Sequence, residues 1–277
     1  MKDAVLKELR HLTKHENVAV INRGNAAILL TMLQSTGPIL IPQEGGWMTY
    51  EKFAVALNRE LIKVDTKQAK IDLEDLKRKI TAAKKNCKEN EQVLFIYHSN
   101  AAYTIAQDTK EIYNICHSSD VLVAMDACGS IGTELANGHH CDIMFSSFGK
   151  WKLIDANEGA FISTQNKDLF QKVKPLVAAV SFDGNFSLIH QKIKDLPNRI
   201  EFLRNKSQEI IQDLSKFQIL NKSQKFPFVV LVKFKNEIER LNIAAYCTKN
   251  ELEYTVCPRE IRIMEDAISI EVKRLES

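Results

Sequence analysis

The sequence predicts an α/β fold: a seven-stranded, mainly parallel sheet flanked by helices, followed by a small, reduced α+β C-terminal domain. Three observations predict it. Over the first 165 residues, short runs rich in Val and Ile alternate with stretches whose apolar residues recur at spacings of three and four. Most of the runs are continuously apolar, as strands covered on both faces are. After Thr164 the pattern changes to long helical stretches and separated strands.

Strands are expected at residues 18–21, 39–41, 61–64, 93–97, 121–125, 143–145 and 160–163. Between them, residues 25–34, 49–57, 73–83 and 109–117 have the periodicity of amphipathic helices. Asp72 with Asp75, and Asp108 with Glu111, supply N-caps followed three positions later by an acid, weaker relatives of the capping box. A helical stretch at 167–180 leads through a loop at 182–185 to a long helical pattern from 187 to 215, expected to break near Pro197. A strand at 228–234, a helix at 237–249 and strands at 253–257 and 267–272 follow. The expected division is a large domain at 1–186 and a small one at 187–277 that includes the connecting helix.

With 277 residues, 45% of them hydrophobic and 26% charged, the chain can bury one substantial core and a smaller second one. Its net charge of +3, from 38 basic and 35 acidic residues spread along the chain, gives no electrostatic reason for nucleic-acid or membrane binding. No apolar run approaches a membrane span, and the first ten residues carry charges at helical spacing, so a cytoplasmic protein is expected. Six scattered cysteines without a CxxC pair read as reduced thiols. His139, His140, Cys141 and Asp142 are four possible metal donors in a row. On an extended segment they would alternate in direction, so no metal site is expected there.

The chemistry concentrates in two segments, Met125-Asp-Ala-Cys-Gly-Ser-Ile-Gly132 and Asp142-Ile-Met-Phe-Ser-Ser-Phe-Gly-Lys-Trp-Lys152. An apolar strand ending in Asp126, and another opening onto serines and lysines, can place an anion, a phosphate cradle and an amine around one cofactor. Pyridoxal 5'-phosphate needs all three. Ligands of such sheets collect beyond the carboxyl ends of the strands, so Gly24, His98, Asp126 and Ser147 should gather on one side. A buried Asp126 needs a cationic partner, and a protonated pyridine nitrogen would be one. The turn Asn22-Arg-Gly-Asn-Ala-Ala27 opens a helix whose N-terminal N–H groups suit phosphate. A nucleophilic lysine must lose its proton, which burial beside another cation such as Lys150 would favour.

Over residues 18 to 164 the chain resembles the fold type I pyridoxal-phosphate enzymes, and among them the DegT-like sugar aminotransferases. The pattern of Ser-Phe, a lysine four residues on and Glu158-Gly159 six further makes Lys152 the Schiff-base lysine by resemblance. The cysteine desulfurases, another branch of the fold, put the lysine three residues after a serine, which from Ser147 gives Lys150. The resemblance also assigns Asp126 to the ring nitrogen and Ser147 to the phosphate, with Ser146 as fallback. Gly24, Asn25 and Ala26 match the phosphate loop, and Trp47 the aromatic residue stacked on the ring. The loop from Tyr97 to Gln107 resembles the desulfurase segment, which puts Asn100 near the cofactor's phenolic oxygen and His98 against the ring. Cys128-Gly129 stands where the DegT-like pattern has a glutamine. Arg259 and Arg262 are candidates for gripping a substrate carboxylate, and Cys257 reads as buried and inert. The resemblance implies a homodimeric aminotransferase with small-molecule amino donor and acceptor, on a chain shorter than its relatives. A desulfurase or β-eliminating lyase, and a non-catalytic scaffold, stay open.

Overall fold

The computed structural model describes residues 1–276. Helix α1 (Lys2–Thr13) precedes an alternation of β1 (Asn17–Ile21), α2 (Gly24–Met32), β2 (Ile39–Pro42), α3 (Thr49–Ala56), β3 (Leu61–Val64) and α4 (Leu73–Asn86). Then come β4 (Leu94–His98), α5 (Thr109–His117), β5 (Leu122–Asp126), β6 (Ile143–Ser147) and β7 (Ala160–Thr164). These seven strands form one sheet in the order β1-β7-β6-β5-β4-β2-β3. Pairing is parallel from β3 to β6, and antiparallel where β7 meets β6 and β1.

Alternating side chains fill two cores, one on each face. In β4, Leu94 and Ile96 pack with α2, α3 and α6 (Lys167–Ala179), while Phe95 and Tyr97 pack toward α1, α4, α5 and α7 (Phe186–Asp213). The central strands β4 and β5 are buried along their whole length, which is why they read as apolar runs; the edge strand β3 is partly exposed. Each fully buried Leu, Ile or Phe contributes about 1.5–3 kcal/mol. The expected caps form: Asp72 accepts from the N–H groups of Glu74 and Asp75, and Asp108 from that of Glu111.

The expected break at Pro197 does not occur. Helix α7 runs through it without interruption, because Ile193, Leu196, Ile200 and Leu203 on one stripe are all buried and hold the helix on both sides of the ring. Beyond α7, β8 (Gln218–Ile219), β9 (Val230–Lys233), α8 (Glu237–Lys249), β10 (Tyr254–Cys257) and β11 (Ala267–Ile270) build a four-stranded antiparallel sheet in the order β8-β9-β11-β10. Strand β9 starts later than expected. Phe228 instead donates its N–H to the Tyr103 carbonyl at 3.0 Å and accepts from Lys273 N–H at 2.9 Å, tying the second sheet to a loop of the first.

His139 and His140 lie in a 3-10 turn (Gly138–His140), not on an extended segment. His140 bonds Thr109 at 3.0 Å, Cys141 is buried, and Asp142 accepts from Val123 N–H at 2.7 Å. Among the described residues no helix is long and apolar enough to cross a membrane.

Candidate active site

The carboxyl ends of β4, β5 and β6 deliver His98, Asp126 and Ser147 to one cavity of about 440 Å³, within the usual range for small-molecule sites. Gly24, Asn25, Trp47, Tyr103, Cys128, Lys152 and Arg262 also line it.

Asp126 is 3% exposed, and both its oxygens are engaged. Oδ1 accepts from Cys128 N–H at 2.8 Å, and Oδ2 from the Tyr50 hydroxyl at 2.5 Å. Burial first, then the adjacent Asp126 charge, pushes the Tyr50 phenol well above its ordinary range, so it stays a donor. His98 Nε2 lies 4.0 Å from Asp126 Oδ1. Neither ring nitrogen of His98 has a hydrogen-bond partner among the described residues, and burial holds the imidazole below its ordinary pKa, hence neutral.

The loop between β6 and β7 presents Lys152. Phe148 N–H donates to the Gly159 carbonyl at 2.9 Å, and Gly159 N–H to the Asn22 carbonyl at 3.1 Å, which locks the lysine loop to the turn before α2. Gly159 has φ 84°, a backbone that a Cβ would strain. Trp151 between the two lysines also has positive φ, 66°, and the chain reverses there. Lys152 turns inward: Nζ donates to Tyr103 Oη at 2.5 Å and sits 5.3 Å from the Trp47 ring centroid. Lys150 turns out, 4.8 Å from the Trp151 ring, along a separate surface cavity.

Burial alone would lower the pKa of Lys152, but the Tyr103 phenol, the Cys128 thiol and the Asp126 carboxylate outweigh it and hold the amine above its ordinary range. The expectation of an amine depressed by Lys150 is therefore corrected. Its neighbours are phenol, thiol and carboxylate, and Lys150 is not beside it.

Helix α2 approaches Ser147 as only glycine permits: a Cβ on Gly24 would lie 2.8 Å from Ser147 Cβ and 3.1 Å from Oγ. The first helix N–H with a backbone acceptor is that of Ala27, to the Arg23 carbonyl, leaving those of Gly24, Asn25 and Ala26 ahead of it. Ala26 itself is half-buried and packs into the core off the cavity wall. Ser146 is buried with its hydroxyl toward the Ser147 carbonyl, 3.4 Å away, also off the wall.

Asn100 is not where the resemblance puts it. It is fully buried behind the wall, its Nδ2 donating to the carbonyls of Gly129 at 2.9 Å and Phe226 at 3.0 Å, because a short ladder of Asn100–Ala101 with Ile105–Ala106 turns it inward. Arg262 does line the cavity, but Glu271 holds its guanidinium, with Nε–Oε1 at 3.0 Å and Nη2–Oε2 at 2.6 Å. Arg259 is exposed outside the cavity. Cys257 is 1% exposed, and burial raises its thiol.

Sequence reasoning did not single out Tyr50, Tyr103, Glu271 or Lys273, nor Arg23, which also lines the cavity. Burial would raise the Glu271 carboxyl, but Arg262, Lys273 and Arg274 bring it down to about 2. Burial pushes Lys273 down to about 7, against the pull of Glu271 at 3.4 Å. Tyr50 was legible only as one apolar position of an amphipathic helix. Tyr103 lay inside the desulfurase-like loop, yet nothing in its spacing marked it.

No curated protein sequence matches the chain closely enough to count as a relative. Solved structures match it along nearly its whole length. A DegT DnrJ EryC1 StrS aminotransferase from Brucella abortus superposes with a TM-score of 0.77 at 13% identity, covering 98% of this chain and 84% of that one. The ureidoglycine-glyoxylate aminotransferase from Bacillus subtilis gives 0.73 at 16% identity, with 97% and 78% covered. A Sphingomonas wittichii serine palmitoyltransferase gives 0.72 at 12%, with 97% and 69% covered. At such identities these likenesses establish the fold. The family model for the DegT/DnrJ/EryC1/StrS aminotransferases matches residues 3–187, which include every strand of the large sheet and the lysine loop, and the chain belongs to that family.

Proposed function

We propose that this chain is a pyridoxal 5'-phosphate-dependent aminotransferase acting on small amino compounds through Lys152. One observation carries the reading: the Lys152 amine, the Asp126 carboxylate and the Gly24–Ser147 approach all open on the same cavity. The residues fit the cofactor. The unpartnered N–H groups at the start of α2 and the Ser147 hydroxyl suit its phosphate. The neutral His98, both of whose nitrogens lack a partner among the described residues, and the Trp47 indole offer faces for its ring.

When bound, the cofactor supplies an aldehyde for the lysine amine and an electron-withdrawing ring. The chain does the rest. Asp126, which Tyr50 and the Cys128 N–H hold in place, would keep a proton on the ring nitrogen. Lys152, standing in the cavity, would be the group that moves a proton at the substrate Cα. Its inward position, against the outward one of Lys150, supports Lys152 as the reactive amine.

We read residues 1–186 as the cofactor-binding unit and 187–277 as the small one. The expected location is the cytoplasm and the expected assembly a homodimer, and exposed Trp47, Met48 and Val55, at 37%, 50% and 70%, support the dimer. Sedimentation of the purified protein tests the oligomeric state.

The reading is tested by adding pyridoxal phosphate, recording the visible spectrum, reducing with borohydride and mapping the modified peptide. A coloured species fixed on Lys152 is expected. A label on Lys150 would move the chain toward the desulfurase-like branch, and no band with no adduct would leave a non-catalytic scaffold.

A further inference from the structure

We propose that Tyr103 is the positioning residue for Lys152, its phenol oxygen receiving the amine's hydrogen bond and fixing where the amine stands in the cavity. This rests on the reading of Lys152 as the cofactor amine, and the experiment below separates the two.

Groups from several parts of the fold converge on this one ring. Tyr103 is 7% exposed, and its hydroxyl takes Lys152 Nζ at 2.5 Å. Around the ring stand Lys273 Nζ at 4.8 Å, the Arg262 guanidinium at 5.6 Å and the His98 ring at 5.0 Å. Two of these, Arg262 and Lys273, come from the end of the chain and are held by Glu271. The ring is thus gripped by both sheets at once.

The backbone is shaped for this placement. Ala102 and Tyr103 both have positive φ, 53° and 65°, a conformation that costs a residue with a Cβ about 1–2 kcal/mol. Two hydrogen bonds hold it: Tyr103 N–H to the Asn100 carbonyl at 2.9 Å, and Phe228 N–H to the Tyr103 carbonyl at 3.0 Å. A tyrosine kept in a left-handed turn with its hydroxyl at the reactive amine points to a role at the site.

The groups facing Lys152 sort by sign. Tyr103, Cys128 and Asp126 favour its charged form, Tyr103 first among them, against burial. Lys273 and Arg262 stand behind Tyr103, His98 beside it, and Trp47 offers a ring without an acceptor. Removing only the Tyr103 oxygen should therefore lower the proton affinity of Lys152 and let the amine wander. The two consequences have opposite signs: a more reactive free amine, and a poorer proton carrier.

The test is competitive acetylation of the purified, cofactor-free protein with trace acetic anhydride from pH 7 to 11, with the Lys152 peptide read by mass and exposed Lys77 as internal reference. Tyr103→Phe is expected to raise the reactivity of Lys152 relative to Lys77 about tenfold at fixed pH within this window, the signature of a midpoint lower by about one unit. Tyr246→Phe, which removes a hydroxyl bonded to Asp213 away from the cavity, should leave that midpoint in place. With pyridoxal phosphate added, Tyr103→Phe should lower kcat more than it changes KM and move the same limb of the pH profile. If the phenylalanine variant fails to fold, Tyr103→Met removes the same oxygen and should shift the midpoint in the same direction. An unchanged midpoint overturns the proposal, whatever happens to kcat. A lowered midpoint with no cofactor on Lys152 sinks the cofactor reading and leaves the pairing intact; a cofactor on Lys152 with an unchanged midpoint does the reverse.

Discussion

Replacing Gly24 with alanine tests whether α2 and Ser147 form a phosphate cradle. The added Cβ would stand 2.8 Å from Ser147 Cβ. Carbon atoms prefer about 3.5–4.0 Å, so the helix start or the serine must retreat by about 0.7–1.2 Å. Hydrogen bonds of about 2.9 Å lengthened by that much are lost. Losing even one bond to an anion, worth about 1.5–3 kcal/mol, weakens pyridoxal phosphate binding by about tenfold to a hundredfold. The overpacking itself should cost about 1–3 kcal/mol of folding stability. Ser147→Gly removes both close atoms and leaves Ser147 Cα at 3.6 Å, an ordinary contact. In that background Gly24→Ala should therefore cost little, giving a strongly non-additive cycle. The assay is a spectroscopic titration with pyridoxal phosphate, beside urea unfolding of the same four proteins. A Gly24→Ala affinity within twofold of the parent, or an equal loss in both backgrounds, would refute the steric argument.

Tyr50→Phe removes the donor at 2.5 Å from Asp126 and should cost about 1.5–3 kcal/mol in urea unfolding near neutral pH; a change below about 0.5 kcal/mol would show that water replaces the hydroxyl. Glu271→Gln strands Arg262 and Lys273, so unfolding stability at pH 7 should fall by about 3–5 kcal/mol. The pH dependence follows from the same carboxyl. Its folded pKa of about 2 lies below the ordinary 4.5, so its stabilisation is present above pH 4.5 and is lost as pH falls toward 2. Glu271→Gln should flatten that acid limb. Lys273 gives the alkaline counterpart: between about 7 and 10.5 the unfolded chain holds a proton that the native amine has shed, so stability should rise with pH through that window. Lys273→Met should remove the rise, and an unchanged alkaline limb would show that another group titrates there.

The large sheet was legible because its central strands are covered on both faces, and a strand such as Leu94–His98 has almost no choice but to be an apolar run. The caps at Asp72 and Asp108 were legible because capping is a matter of residues three apart. Pro197 misled because a local rule was overridden by a buried stripe along a long helix. Asn100 misled because its match was one of sequence, while a turn two residues further on rotated it behind the wall. The left-handed turn at Ala102–Tyr103 contains no glycine, so nothing announced it.

By itself the sequence determined most of the elements and the mainly parallel run of the sheet, and hence which residues end strands on the same side: His98, Asp126 and Ser147 follow from hydrophobic periodicity and the direction of the chain. Only the tertiary structure decided which side chains face one another across that end. Lys152 points in and Lys150 out because Trp151 adopts a positive φ. Arg262 is committed to Glu271, and Tyr103 stands against Lys152, because the end of the chain packs back on the first sheet. Periodicity records burial along a single element. Charge pairing and proton affinity depend on distances between atoms that are far apart in sequence, and those exist only once the chain is folded.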